Sequence, residues 1–355
     1  MGLDEALCAH NESGTRTAEQ TDEVGKSGST KVYEMTINVD DDLHTEESSS
    51  CVVRGKEPSI HTLWTRFMYL IYEVGRTAGA GVSIENWMGL SRCLSSISMD
   101  AISMIQGASR GIGLEFTRQL LQNKVNGHVI ATCRNPQAAT GLLNLKDQYA
   151  DRLHILPLDL TDETTIQESA EFVMDRFGSL NLLVNASGIL SIPNVMQPET
   201  TLSKVEKSSL QLAYEVNAVG PILVIKHMWP LLKAGGGSGT DTDLAVAANL
   251  SARVGSIGDN RLGGWHSYRA SKAALNQLTK TVAVEFARKK DPIICLLLHP
   301  GTVDTDLSKP FQKNVPEGKL FTKEFSVQQL LKIINNAKRH ENGKFFAWDG
   351  TEIPW

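Results

Sequence analysis

From Ala101 onward, short and almost wholly apolar runs alternate with longer stretches whose apolar residues recur at helical spacing. Few folds accommodate that alternation. The runs Ile102–Gln106, His128–Cys133, Leu153–Pro157, Leu180–Asn185, Leu244–Asn249, Ile293–His299 and Lys344–Ala347 read as strands. Between them, Gly113–Asn123, Thr164–Phe177, Gln211–Leu232, Tyr268–Ala287 and Ser326–Lys338 read as helices. A strand that is apolar on both faces must be covered on both, and a helical crossover brings the next strand back parallel. The expectation is an α/β fold, doubly wound, with a mainly parallel sheet. No internal repeat is visible.

The first hundred residues differ in character. Residues 1–50 hold twelve acids against three bases, a net of −9 in a chain of formal charge −5, so the remainder carries +4. Rich in Glu, Asp, Ser and Thr, this stretch cannot bury enough apolar surface to offset the entropy of ordering. Residues 1–100 are therefore expected to form a mostly disordered extension ahead of a domain spanning 101–355. Aromatic residues in 60–87 suggest a short helix near Leu63–Val74. The run from Met88 to Met99 carries Ser and Arg and no acid, as the tail of an organellar transit peptide does. It reads either as a linker or as a vestigial leader exposed by initiation or processing near Met88.

The bulk numbers exclude several classes. A pI near 6.0 argues against a nucleic-acid binder. No apolar run is long enough to span a bilayer, so no membrane partner is expected. Cys8, Cys51, Cys93, Cys133 and Cys295 are scattered, with no C-x-x-C pair and no metal-ligand spacing. No metal is expected. The setting expected is soluble and intracellular: cytoplasmic by default, plastid or mitochondrial if the Met88 segment serves as a leader.

Gly107-Ala-Ser-Arg-Gly111-Ile-Gly113 joins the first strand to the first helix. Glycines there permit a sharp turn and a close backbone approach to a pyrophosphate, which the free N–H groups of the helix N-terminus attract. About 20 residues further on, a dinucleotide-binding unit reads the adenosine ribose, with an acid when the cofactor is NAD. This chain instead has Thr132-Cys133-Arg134. Arg134 can grip a 2′-phosphate in a bidentate fork and Arg110 adds a second cation, so NADP(H) is expected. Asp159, at the end of the third strand, fits either a bond to the adenine amino group or a helix N-cap. Asn185-Ala186-Ser187-Gly188 closes the fourth strand and would pass beneath the cofactor.

Tyr268 and Lys272 are four residues apart at the start of a helical pattern, one turn apart on one face. A neighbouring ammonium and the nicotinamide charge both favour the phenolate, so the Tyr268 pKa is expected to fall. Tyr268 would then exchange a proton with an alcohol or carbonyl oxygen as hydride moves, while Lys272 bonds the nicotinamide ribose.

Gly107–Gly113, Asp159, Asn185–Gly188, Asn217, Tyr268 with Lys272, and Pro300-Gly-Thr-Val-Asp-Thr305 occur in a familiar order and rough spacing. In these the chain resembles the classical short-chain dehydrogenase/reductase family over about residues 101–355. Asn249–Ile257 and Phe345–Trp355 are similar, more specifically, to the C-factor-like branch related to carbonyl reductases of the sniffer type. The resemblance implies one Rossmann-fold domain with a seven-stranded sheet. It also implies a homodimer or homotetramer built on the helices beginning near Gln211 and Tyr268. By the same resemblance Gly107, Ser109, Arg110, Gly111, Ile112, Gly113, Leu160 and Ala186 touch the cofactor, and Pro300, Gly301, Val303 and Thr305 meet its carboxamide. Asn217 links the lysine to a proton-relaying water, or else marks a helix kink.

Three departures stand out. The family carries two serines after the fifth strand, the second polarising the substrate oxygen, whereas this chain has Ser251-Ala252. Ser251 is the expected catalytic serine, with Ser256 the alternative. Ser187 and Gln106 are the other two departures. Trp265 and His266 either line the substrate pocket or pack structurally, and the loop Asp306–Phe321 lies where a lid would fall. The function expected is an NADP(H)-dependent oxidoreductase reducing a small ketone or aldehyde to an alcohol. The competing reading, suggested by the displaced serine, is a cofactor-binding sensor or signalling protein with little turnover.

Overall fold

The computed structural model describes residues 101–123, 126–237 and 244–355, together with three strands in the extension. Those three, Cys8–His10, Lys31–Asn38 and Ser48–Gly55, pair antiparallel with Ser48–Gly55 in the middle. The disorder expected for the rest of residues 1–100, the helix near Leu63–Val74 and the Met88–Met99 run lie outside the described residues.

In the main unit, seven strands form one parallel sheet. They are β1 Ile102–Gln106, β2 His128–Cys133, β3 Leu153–Pro157, β4 Leu182–Asn185, β5 Ala245–Leu250, β6 Ile293–His299 and β7 Lys344–Ala347. Their spatial order is β3-β2-β1-β4-β5-β6-β7. The helices are α1 Gly111–Asn123, α2 Thr140–Gln148, α3 Glu163–Phe177, α4 Lys207–Tyr214, α5 Gly220–Gly235, α6 His266–Lys289 and α7 Lys323–Asn335.

Strand parity explains the two layers, because successive side chains point to opposite faces. Ile105, Val129, Ala131, Val184 and Leu296 pack with Phe116, Leu120, Leu142, Leu330 and Ile334 under α1, α2 and α7. Met104, Ile130, Leu183, Ala247 and Cys295 pack with Ile166, Val173, Met228, Leu231 and Phe286 under α3, α5 and α6. The result is the doubly wound Rossmann fold. The strand order reverses between β1 and β4, and the crossovers on either side of that point leave for opposite faces. A crevice opens there at the carboxyl ends of the strands.

Two elements depart from the sequence pattern. Helix α2 has no counterpart in the sequence reading, because only Leu142 and Leu145 of its nine residues are buried and two positions make no periodicity. The stretch Gln211–Leu232, expected as one helix, is α4 and α5 joined by a π turn over Glu215–Val219. Pro221 has no N–H to offer the carbonyl of Asn217, and the Gly220 N–H reaches back to Glu215 O instead.

Candidate active site

The glycine loop is tied to the strands on both sides. The N–H groups of Gly107 and Ala108 donate to Thr132 O at 3.0 and 2.9 Å, which fixes the loop against the end of β2 and hence near Arg134. Gly107 has φ +84°, and a Cβ on it would come within 2.2 Å of Ser187 Oγ. A Cβ on Gly113 would meet Gly107 O at 2.2 Å. Gly111 is different: with φ +59°, a Cβ there would sit in ordinary van der Waals contact with Thr305 Cγ2 at 3.6 Å. Gly111 at the start of α1 thus lies beside Thr305, and the free N–H groups of that helix N-terminus suit a dinucleotide pyrophosphate. Arg110 and Arg134 are exposed and Ser109 and Ile112 half-buried, so both guanidiniums are accessible to a phosphate.

Two sequence departures meet in space. The Gln106 side-chain amide donates to Ser187 Oγ at 2.9 Å, and the Ser187 N–H donates to Gln106 Oε1 at 3.3 Å. Each compensates the other, so the turn Asn185–Gly188 is held against the glycine loop. Ala186 continues that junction, its N–H donating to Gln106 O at 2.9 Å. At the end of β3, Asp162 caps α3 through the Thr164 N–H, so Asp159 is not the N-cap. Asp159 Oδ1 accepts from the Thr161 N–H and hydroxyl instead, and the neighbouring Leu160 is buried.

The titratable group lies where β4, β5, the π turn and α6 converge. Tyr268 and Lys272 are both buried, with Lys272 Nζ 5.8 Å from the phenol ring centroid. Lys272 Nζ donates to Leu250 O at 2.9 Å. Asn217 sits in the π turn, fully buried. Its Oδ1 accepts from the Ile189 N–H at 2.8 Å, and its amide donates to Ile189 O at 2.9 Å and Ser271 Oγ at 3.0 Å. A Cβ on Gly188 would lie 3.4 Å from both Asn217 Oδ1 and Lys272 Nζ, so bare backbone separates the two side chains.

Burial sets the proton affinities here. It pushes the Lys272 ammonium down to about 8. It pushes the Tyr268 phenol above its ordinary value, so Lys272 by itself does not bring it down. Loss of hydration outweighs an ammonium that faces the ring rather than bonding the hydroxyl. Tyr268 is thus a neutral phenol, suited to giving a proton.

Both serines after β5 are engaged with the protein itself. Ser251, the expected catalytic serine, donates to Asn276 Oδ1 of α6 at 2.6 Å, and both residues are buried. Ser256 Oγ accepts from the Asp259 N–H at 3.1 Å. The Trp265 ring stands edge-on to Tyr268 with centroids 6.3 Å apart, and packs on Phe311 at 5.1 Å. Phe311 belongs to the loop from Asp304 to Lys319, whose ends are closed by parallel pairing of Thr302–Val303 with Leu320–Phe321. Gly301 has no room for a side chain, since a Cβ there would stand 2.6 Å from the Phe321 ring. Ser326 Oγ donates to Pro300 O at 2.8 Å and so holds the same turn. His299 is a half-buried strand-end imidazole whose pKa is pushed down to about 4, chiefly by desolvation.

Sequence reasoning missed Glu199. It is buried on the segment between β4 and α4, and its carboxylate meets Ser267 beside Tyr268. An isolated acid in a loop carries no periodic or motif signal. Among the described residues no helix is long and apolar enough to cross a membrane, and no cluster of three or more His, Cys, Asp or Glu could hold a metal.

Comparison with known proteins bears on the same residues. A family model for short chain dehydrogenases matches residues 101–316. NADPH-bound carbonyl reductase from chicken fatty liver is 32% identical, with a TM-score of 0.63 over 72% of this chain and 99% of that one. The carbonyl reductase Sniffer of D. melanogaster is 30% identical, with a TM-score of 0.62 over 72% of this chain and all of its own. The protein named C-signal of Myxococcus xanthus is 30% identical over 178 residues, covering 50% of this chain and 94% of its own.

Proposed function

The chain belongs to the short-chain dehydrogenase family, and from that premise we propose that it is an NADP(H)-dependent oxidoreductase reducing a small ketone or aldehyde to an alcohol. The observation that carries the proposal is the burial of Tyr268, Lys272 and Asn217 together at the crevice of the sheet, with Lys272 and Asn217 meeting at Gly188 and Lys272 5.8 Å from the Tyr268 ring centroid.

The helix N-terminus at Gly111 suits a pyrophosphate, Arg134 and Arg110 suit a 2′-phosphate, and Asp159 with Leu160 borders the adenine end. Lys272 would hold the nicotinamide ribose, and Pro300, Gly301, Val303 and Thr305 its carboxamide. The bound nicotinamide supplies the hydride. Tyr268, kept protonated by burial, gives its proton to the substrate oxygen. Lys272 then returns a proton towards the phenol, and Asn217 at the π turn orients the relay. The carbonyl reductases among its structural relatives, one of them NADPH-bound, support this reading.

A second reading, a cofactor-binding sensor with little turnover, is favoured by Ala252 at the family's serine position, by the Ser251–Asn276 bond and by the likeness to C-signal. One experiment separates the two. NADPH and NADH binding is measured by fluorescence titration, followed by a screen of ketones and aldehydes with wild type, Tyr268→Phe and Arg134→Ala. We expect NADPH preference that collapses in Arg134→Ala. Tyr268→Phe should cost at least about 100-fold in turnover with NADPH affinity kept within a few-fold. A Tyr268→Phe enzyme retaining most activity would sink the proton-donor role, and tight NADPH binding without turnover of any carbonyl would leave the sensor.

A further inference from the structure

Helix α6 begins in an unusual way for a helix that carries a reactive tyrosine in its first turn. Its N-cap is Trp265, which offers no side-chain bond to the free N–H groups behind it. Trp265 itself is left-handed, φ +52° and ψ +45°, and follows Gly263 and Gly264 at φ +62° and +67°. Two glycines enter such a turn freely, but a bulky indole residue stays there only if its surroundings hold it.

Glu199 holds it from both sides. Its backbone carbonyl accepts the Trp265 N–H at 2.5 Å. Its carboxylate accepts the Ser267 N–H at 3.2 Å and also the Ser267 hydroxyl, across 68 positions of sequence. Glu199 and Ser267 are each 3% exposed, so these bonds lie out of water, with the negative charge at the positive end of the helix dipole. The cap that a serine or aspartate at position 265 would supply locally comes instead from the segment following β4. With the cap position thereby left to tryptophan, the indole stands against Tyr268 on one side and Phe311 of the Asp304–Lys319 loop on the other.

We propose that Glu199 is a positioning residue: by clamping the left-handed turn Gly263–Trp265 and the Ser267 N–H, it sets the place of the Tyr268 phenol. The effect of Glu199 on turnover rests on the reductase reading above, while the clamp itself does not. Glu199 touches neither substrate nor cofactor in this role; it acts through Ser267, the residue immediately before Tyr268.

The test uses the full-length chain as Glu199→Gln, which keeps the shape and loses the charge, and Glu199→Ala. Steady-state kinetics with NADPH and an accepted carbonyl are paired with amide hydrogen exchange over residues 263–272. Since about 1 Å of misplacement can cost on the order of 100-fold, we expect kcat to fall about tenfold in Glu199→Gln and about 100-fold in Glu199→Ala, with KM and NADPH affinity within about twofold. Exchange at 266–271 should quicken in both variants. In a Tyr268→Phe background, Glu199→Ala should lower the residual rate no further, because the group it positions is gone. A multiplicative loss in that background would overturn the proposal, as would quickened exchange with wild-type kcat. Should the wild type reduce no carbonyl at all, the reductase reading fails; unchanged exchange at 266–271 would then overturn the clamp as well, and quickened exchange would uphold it.

Discussion

At the scale of single residues, the end of β5 ties two polar side chains to α6. Asn249 and Ser251 are two apart, and both bond to α6: Asn249 to Thr279 Oγ1 at 2.8 Å, Ser251 to Asn276 Oδ1 at 2.6 Å. Ser251 therefore belongs to the strand–helix interface. Ser251→Ala should destabilise the fold by about 1–3 kcal/mol, the cost of a buried acceptor left unmatched, with kcat within about threefold of wild type. Thermal unfolding and kinetics on the same variant check this, and a large loss of kcat at unchanged stability would return the serine to catalysis. Lys272 yields a pH prediction. Burial lowers its pKa from 10.5 to about 8, so its ammonium is present below that value and lost above it. Tyr268 stays protonated through the same range, since burial moves it upward. For carbonyl reduction, kcat/KM should fall as pH rises through about 8, and Lys272→Arg should move that limb to higher pH, read from a pH–rate profile.

At the scale of elements, the π turn turns a prolyl constraint into a site. Pro221 leaves the Asn217 carbonyl without its helical N–H, and within that turn the Asn217 side chain bonds the Ile189 backbone. The edge of the sheet behaves differently, through burial first and then the neighbouring charges of Arg176, Lys146 and His128. His154 on β3 and His128 on β2 approach at 3.4 Å, with the Phe177 ring 5.3 Å from that of His154. Burial lowers His154 from 6.5 to about 4. The unfolded imidazole therefore takes up a proton before the folded one. The stability this represents is fully present above about pH 6.5 and is lost as the pH falls towards and through about 4. The melting temperature should drop across that window, and His154→Phe should flatten part of the drop. His299, lowered in the same direction, accounts for another part.

For the molecule as a whole, the outer faces of α4 and α6 carry apolar side chains that no core explains. Leu210 and Tyr214 are one turn apart on α4 and 36% and 46% exposed, and Val284 on α6 is 49% exposed. If these helices carry the homodimer or homotetramer expected from the sequence, such side chains would lie in its interface. Val284→Arg should convert the expected homodimer or homotetramer to a smaller species in light scattering after gel filtration, with the far-UV spectrum unchanged. A wild type that is already monomeric would remove the basis for that interface.

The sequence alone determined the layer architecture, the order of the motifs along the strands and the position of the glycine loop, because each depends on local pattern. Apolar runs of strand length specify a covered parallel sheet, and glycines at a strand–helix junction specify a turn. The strand boundaries expected for β1, β2, β3, β6 and β7 are those observed, because there the apolar run and the ladder end together. Tyr268 and Lys272 were legible for the same reason, being one turn apart. What only tertiary structure decided depends on partners distant in sequence. Gln106 and Ser187 look like separate departures until they bond across 81 positions. The bond from Ser251, just past the end of β5, to Asn276 links positions 25 apart and carries no sequence signal. The direction of the Tyr268 shift needed the depth of its burial, which no spacing reveals. Glu199 carries no local signal at all, because its role arises only when the segment after β4 folds onto the first turn of α6.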